Sequence, residues 1–423
     1  MPVCVLDEAG AQGPMAMYRI DQHLWLMVSR TRCGLKTVLR LWRALLVALL
    51  FSPISVADAV WPGERWAHAD PASQGLDLQV LQALDEEIRA GEHGNIDSMT
   101  IIRRGQVVFD RRYKWDYVEQ HKGLVYPSPP PWDYFNAAAY PFHGKTDLHT
   151  LQSVSKSVMS ALIGIAIARG ELPGTDATLG ELLPHRAFAD PAVKDVRLEH
   201  VLTMTAGIDW EEEVSYFSME NDATASESMD DWVGYLLSKS LTVEPGTLFD
   251  YNSALSQALS EILVTATGVP THQYAEQHLF GPIGIADYHW NSAPEGFTNA
   301  GGGLFLSALD LARFTLLYAR QGEWDGKQII PRDWVARSTT SSIPVYPNDP
   351  EGWGYGYQWW IYRHHTPSAP KMYGGWGWGG QFPLVIPELD LVAVFTGWNI
   401  KEDANYAYAF DLFYDRIVLS TVR

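Results

Sequence analysis

The sequence predicts an α+β fold: one antiparallel sheet built from both chain ends, with an all-helical block inserted between them. Three observations carry this. Strand patterns occur near residues 99–109 and return only at 355–396. Helical spacing and turns dominate 172–300. A helical pattern over 403–421 then closes the chain.

The elements follow in order. Leu78, Leu81, Leu84 and Ile88 recur at helical spacing within 76–90, and Gly91 suits a C-cap. Two apolar runs, 99–102 and 107–109, flank Arg103-Arg104-Gly105-Gln106, a hairpin pattern. The stretch 115–150 is rich in Pro and aromatics and reads as a long loop, the kind that often covers a site. An apolar helix starts near Ser153 and stops at Gly170. Helices are predicted over 230–238, 253–267 (closed by Gly268), 271–280 and 307–321. Strands are predicted over 355–362, 382–386 and 391–396. The expected organisation is a leader at 1–57, a sheet-bearing domain from 58–170 and 300–423, and a helical domain at 171–299. No internal repeat is visible.

The leader has its own logic. Lys36, Arg40 and Arg43 precede the apolar run 44–51, then Ser52-Pro53 and the small residues Ser55-Val56-Ala57. A basic segment, a short apolar segment and a small-x-small site describe a secretory signal. Cleavage is expected near Ala57 or Ala59, giving a periplasmic or secreted protein with no stable membrane insertion. Met27 offers a start that gives a signal of more ordinary length. Both cysteines, Cys4 and Cys33, lie in this leader. No thiolate chemistry is therefore expected of the exported chain. The net charge of −19 excludes nucleic acid and anionic membranes as expected partners.

Three stretches carry chemistry. Ser153-Val154-Ser155-Lys156 reads Ser-x-x-Lys at a helix start. Residues three apart share a helix face, so the Ser153 hydroxyl sits beside the Lys156 amine. A serine needs a base to become a nucleophile, and a buried lysine shifts toward the neutral form that can serve. A lone Ser-x-x-Lys is a weak signal. Next, the turn Pro245-Gly246 leads to Tyr251-Asn252-Ser253 just before a helix. Beside the Lys156 ammonium, the Tyr251 phenol is expected to ionise more easily and act as general base. Last, Tyr373-Gly374-Gly375-Trp376-Gly377-Trp378-Gly379-Gly380-Gln381 precedes a strand. Its glycines let backbone approach a ligand, and an edge N–H there could face a developing oxyanion.

In this order the motifs resemble the serine β-lactamase/penicillin-binding-protein superfamily, in particular its class C-like branch. That branch includes family VIII carboxylesterases, D-aminopeptidases and 6-aminohexanoate-dimer hydrolases. Supporting stretches are Gln152 to Ser157, His200 to Ile208, Ala300-Gly301-Gly302-Gly303-Leu304 and Asp325 to Pro331. The resemblance spans roughly residues 75 to 420. It implies an α/β/α sandwich with an inserted helical domain and the active site between them. It implies Ser153 as nucleophile, Lys156 as its partner, Tyr251 as general base, and an oxyanion hole from the N–H groups of Ser153 and Gln381. The implied reaction is hydrolysis of a small ester or amide through an acyl-enzyme. A D-amino-acid peptidase and a catalytically silent binding protein are the alternatives.

Two departures shape the expected substrate. The family's Lys-Thr-Gly aligns with Trp378-Gly379-Gly380, so the cation that would hold a β-lactam carboxylate is missing. Tyr-x-Asn is replaced by Tyr251-Asn252-Ser253, so Ser253 offers a hydroxyl and no amide. Both weaken antibiotic hydrolysis as a main activity. Lys371, Arg363 or the loop 115–150 are the candidates for a replacement cation. No cofactor or metal is expected, since His121, His143, His149 and His364-His365 lack metal spacing. No Gly-x-Ser-x-Gly elbow is present, which argues against an α/β-hydrolase lipase. The aromatic run from Trp353 to Tyr362 is expected to present one face to the core, and Trp376 and Trp378 are the better cleft candidates. The acidic Glu211-Glu212-Glu213 is expected to be a solvated loop.

Overall fold

The sheet begins at a hairpin whose turn the sequence dictates. β1 (Ile96–Arg103) and β2 (Gln106–Arg112) meet across Arg104 (φ 50°) and Gly105 (φ 76°). Two successive left-handed residues make the tight turn that matches strand twist. In this computed structural model, residues 60–120, 122–124, 146–348, 352–362, 370–401 and 409–421 are described. Residues 59–423 form one compact unit. The leader, His121, His143, Arg363, His364-His365 and most of the loop 115–150 lie outside the described residues.

Six further strands complete the main sheet: β3 (Ile343–Pro344), β4 (Gly354–Tyr355), β5 (Trp360–Tyr362), β6 (Met372–Gly374), β7 (Phe382–Ile386) and β8 (Leu391–Gly397). Their order is β2-β1-β8-β7-β6-β5-β4-β3, antiparallel throughout. The N-terminal hairpin thus joins the C-terminal strands at the β1–β8 pair, as the strand placement at both chain ends requires.

Strand alternation divides the side chains between two faces. Met99, Ile101, Phe382, Leu384, Ile386, Leu391, Ala393 and Phe395 point into one core. That face is covered by α1 (Leu78–Arg89) through Leu81, Leu84 and Ile88, and by the terminal segment through Phe410, Phe413 and Ile417. Asp77 starts α1 by accepting the Gln79 N–H at 2.8 Å. Each of its three buried aliphatic side chains contributes about 1.5–3 kcal/mol. Ile102, Val385, Val392 and Val394 point the other way, into a larger core with most of the helices.

Those helices include α2 (Val154–Ala168), α3 (Asp222–Glu227), α4 (Trp232–Leu237), α5 (Ser253–Thr267) and α6 (Ala308–Ala319). α2 is buried from Val154 to Ala166. At Gly164 an added Cβ would lie 2.4 Å from Trp334. α5 begins with Asn252 capping the Leu255 N–H and ends at Gly268 with φ 70°. The inserted helices share one continuous core with the sheet's second face.

Three predicted elements differ. The strand 355–362 is broken: Gln358 takes φ 64° and Gly356 N–H bonds Trp359 O, making a hairpin between β4 and β5. Gln358 holds that shape because its side chain bonds Ser256 Oγ (2.7 Å) and the carbonyls of Val201 and Leu202. The helix 271–280 is α only over Thr271–Ala275 and widens to a π turn over Glu276–Phe280. The terminal helix is described as Ala409–Asp411 followed by a π turn, Leu412–Val418.

Candidate active site

Ser153 stands at the N-cap of α2, and Lys156 follows one turn on. Lys156 Nζ donates to Ser153 Oγ at 3.0 Å and to Gly301 O at 2.6 Å. Gly301 can present that carbonyl because Asn299 Oδ1 accepts the N–H groups of both Gly301 and Gly302 at 3.0 Å. Lys156 is 1% exposed. Burial pulls its amine down to about 8, against the opposing pull of Glu212 and then Glu227. The geometry thus delivers the buried, partly neutralised lysine that the Ser-x-x-Lys spacing implies.

Tyr251 completes the group. The Lys156 ammonium lies 5.2 Å from its ring centroid, and Ser153 acts on its phenol to lower its proton affinity. Trp360 stacks behind it at 5.8 Å. The expectation that Lys156 makes this phenol acidic is corrected. Burial, and next the Glu212 carboxylate, push it well above the usual tyrosine value, and Ser153 opposes them only in part. The resting pair is therefore a neutral phenol beside a lysine that sheds its proton more readily.

The glycine-rich ribbon runs past the start of α2. A Cβ on Gly377 would lie 2.4 Å from Leu151 O, and one on Gly375 would lie 3.1 Å from Val154 Cγ2. Only glycine permits that approach. Gln381 is the second correction. Its N–H donates to Gly377 O at 3.0 Å, closing a turn, and its side chain donates to Gly397 O at 2.6 Å. It is fully buried and braces the ribbon rather than facing the cleft. Gly375 N–H bonds Pro383 O and Gly377 N–H bonds Gln381 O, so backbone alternation turns the Trp376 amide to the opposite edge. Gly379 and Gly380 (φ 86° and 114°) form the turn behind Trp378, next to Asn399.

The cleft joins Ser153, Lys156, Ser253 and Trp378 with residues the sequence did not flag: Tyr216, Glu227, Trp232 and Gln257. Trp378 packs against Tyr216 (5.7 Å) and Phe217 (6.3 Å), forming an aromatic wall. Trp376 belongs elsewhere, with Trp360, Phe382 and Phe410. Tyr355, Tyr357 and Trp359 are core. Lys371 is exposed and does not line the cleft, and among the described residues lining it there is no cation besides Lys156.

Glu212 is the third correction. Glu211 and Glu213 are exposed, but Glu212 is only 8% exposed. Oε1 accepts from Ser253 Oγ (2.5 Å) and Tyr216 OH (2.9 Å). Oε2 accepts from Ser253 N and Trp210 Nε1, both at 2.8 Å. The Ser253 hydroxyl, expected to face substrate, is thus directed at Glu212. The one local clue was the spacing of Trp210 and Tyr216 around the acidic run. Among the described residues, no group of three His, Cys, Asp or Glu could hold a metal ion. No described helix is long and apolar enough to cross a membrane.

The Beta-lactamase family model matches residues 84–408. A 6-aminohexanoate-dimer hydrolase of Paenarthrobacter ureafaciens is 26% identical over 289 residues, 63% of this chain and 69% of that protein. A Bacillus anthracis structure assigned as a 6-aminohexanoate-dimer hydrolase superposes with TM-score 0.61 at 18% identity, covering 83% of this chain and 86% of that one. A family VIII carboxylesterase does so with TM-score 0.59 at 15% identity, covering 84% and 98%. The α+β fold of antiparallel sheet and packed helices is the one these structures share. With its match spanning most of its length, the chain belongs to the Beta-lactamase family of hydrolase-fold proteins.

Proposed function

We propose that the protein is a serine hydrolase that cleaves a small ester or amide through an acyl-enzyme on Ser153. The observation that carries this is the 3.0 Å contact between Ser153 Oγ and a buried Lys156 whose proton affinity is lowered. Lys156 in its neutral form takes the Ser153 proton as Oγ bonds to the carbonyl carbon. The carbonyl π pair moves to oxygen, which the Ser153 N–H at the start of α2 stabilises. Collapse re-forms the carbonyl and expels the alcohol or amine. Tyr251, whose ring lies 5.2 Å from the Lys156 ammonium, relays the proton the leaving group needs. Water then attacks the acyl-enzyme by the same route and frees Ser153.

The cleft supports a neutral or weakly polar acyl group. Trp378, Tyr216 and Trp232 supply apolar surface, and Glu227 disfavours an anion beside the scissile bond. The test is hydrolysis of a short-chain p-nitrophenyl ester beside nitrocefin and a D-alanyl peptide, each against Ser153→Ala. Ester turnover lost in the variant, with nitrocefin nearly untouched, supports the reading. Preferred turnover of nitrocefin or the D-alanyl peptide contradicts the substrate class. We also propose export with cleavage near Ala57 or Ala59. N-terminal sequencing of the mature protein checks it, and an intact N-terminus counts against it.

A further inference from the structure

Glu212 is a buried carboxylate that the acyl-transfer chemistry does not itself use. Its two oxygens accept four hydrogen bonds: from Tyr216 and Trp210, and from the hydroxyl and the backbone N–H of Ser253. Ser253 is the first residue of α5, and Tyr216 is part of the aromatic wall of the cleft. A carboxylate has about four lone-pair sites, so all are occupied, and a carboxamide could not accept all four bonds.

We propose that Glu212 is the positioning residue of this active site, tying the start of α5 to the cleft wall and setting the charge that Lys156 feels. This rests on the acyl-transfer reading of Ser153 and Lys156. Lys156 touches Ser153, the Gly301 carbonyl and the Tyr251 ring, and the carboxylates of Glu212 and Glu227 act on it electrostatically. Glu212 is the larger of the two electrostatic influences that return proton affinity to a lysine depressed by burial. It also acts on Tyr251 and Tyr355. Burial first, and then Glu212 with Glu213, Glu211 and Asp209, pushes the Asp250 carboxyl up to about 6. One carboxylate therefore fixes the geometry of the cleft and raises the pH at which the lysine becomes a base.

The experiment is the rate of Ser153 labelling by a fluorophosphonate, followed by intact mass on the whole chain from pH 5 to 10. The Ser153 oxygen bonds to phosphorus, fluoride leaves, and the hydroxyl proton passes to Lys156, so no substrate need be known. For Glu212→Gln we expect a lower plateau rate and an acid limb moved down by about one pH unit. Glu212→Asp, which keeps the charge, should return the limb toward the wild-type position. A lower plateau with an unmoved limb would mean a merely structural role and overturn the proposal. If Glu212→Gln does not fold, Ser253→Ala carries the test. It cuts one tether and keeps the charge, so labelling should slow with the limb in place, and an unchanged rate overturns the proposal. Failure of the wild type to label at all sinks the acyl-transfer reading itself, and this proposal with it.

Discussion

Replacing Lys156 by Met should remove function and leave a characteristic pH signature in stability. Lys156 is 1% exposed, and its amine is pulled from 10.5 to about 8 by burial. At about 1.36 kcal/mol per pH unit, the ammonium costs the fold about 3 kcal/mol. The folded value lies below the unfolded one. Between pH 8 and 10.5 the unfolded chain binds more protons, so wild-type stability rises with pH there. Below pH 8 the whole penalty is present. Methionine has similar length and no charge, so it escapes the penalty but loses the bonds to Ser153 and Gly301, each about 1 kcal/mol. The stability difference between wild type and Lys156→Met should therefore move by about 2.5 kcal/mol in favour of wild type from pH 7 to pH 10. That change is independent of what the lost bonds cost. Urea unfolding at the two pH values measures it. A difference that stays flat would refute the buried, low-affinity lysine on which the chemistry depends.

Three other outcomes are expected. Tyr251→Phe should lower kcat about 10²–10⁴-fold on an ester, with thermal stability little changed; a stopped rate assay beside a melting curve checks it. Arg186→Met should destabilise by about 3 kcal/mol in denaturant unfolding, because Arg186 holds the buried Glu261 at 2.6 and 2.8 Å; a loss under about 1 kcal/mol would contradict that role. Gly164→Ala should cost about 1–3 kcal/mol despite alanine's higher helix propensity, because its methyl meets Trp334 at 2.4 Å.

What the sequence disclosed follows from how local the determinants are. α5 runs over Ser253–Thr267, the span its spacing predicts, because Asn252 caps it and Gly268 ends it. The Ser153–Lys156 contact was legible because helix geometry alone sets a three-residue spacing. The β4–β5 hairpin was not, since its left-handed residue is Gln358, held by groups far along the chain and unmarked by Gly or Pro. Gln381 has the right place in the motif, yet which way its N–H points is decided by the Gly377 turn. Glu212 sat inside an acidic run that composition assigns to solvent. Its burial depends on donors at Trp210, Tyr216 and Ser253 that only the folded chain assembles. Tyr251 was located by its motif, but its proton affinity followed burial, which the motif does not report.

The central claim is that Ser153 carries the acyl group. Acid-quenching the protein during turnover of a slowly hydrolysed p-nitrophenyl ester, then mapping peptides by mass spectrometry, tests it directly. We expect the added acyl mass on the peptide containing Ser153, with adduct and turnover both absent in Ser153→Ala. Turnover that persists in the variant, or an adduct on another residue, would contradict it.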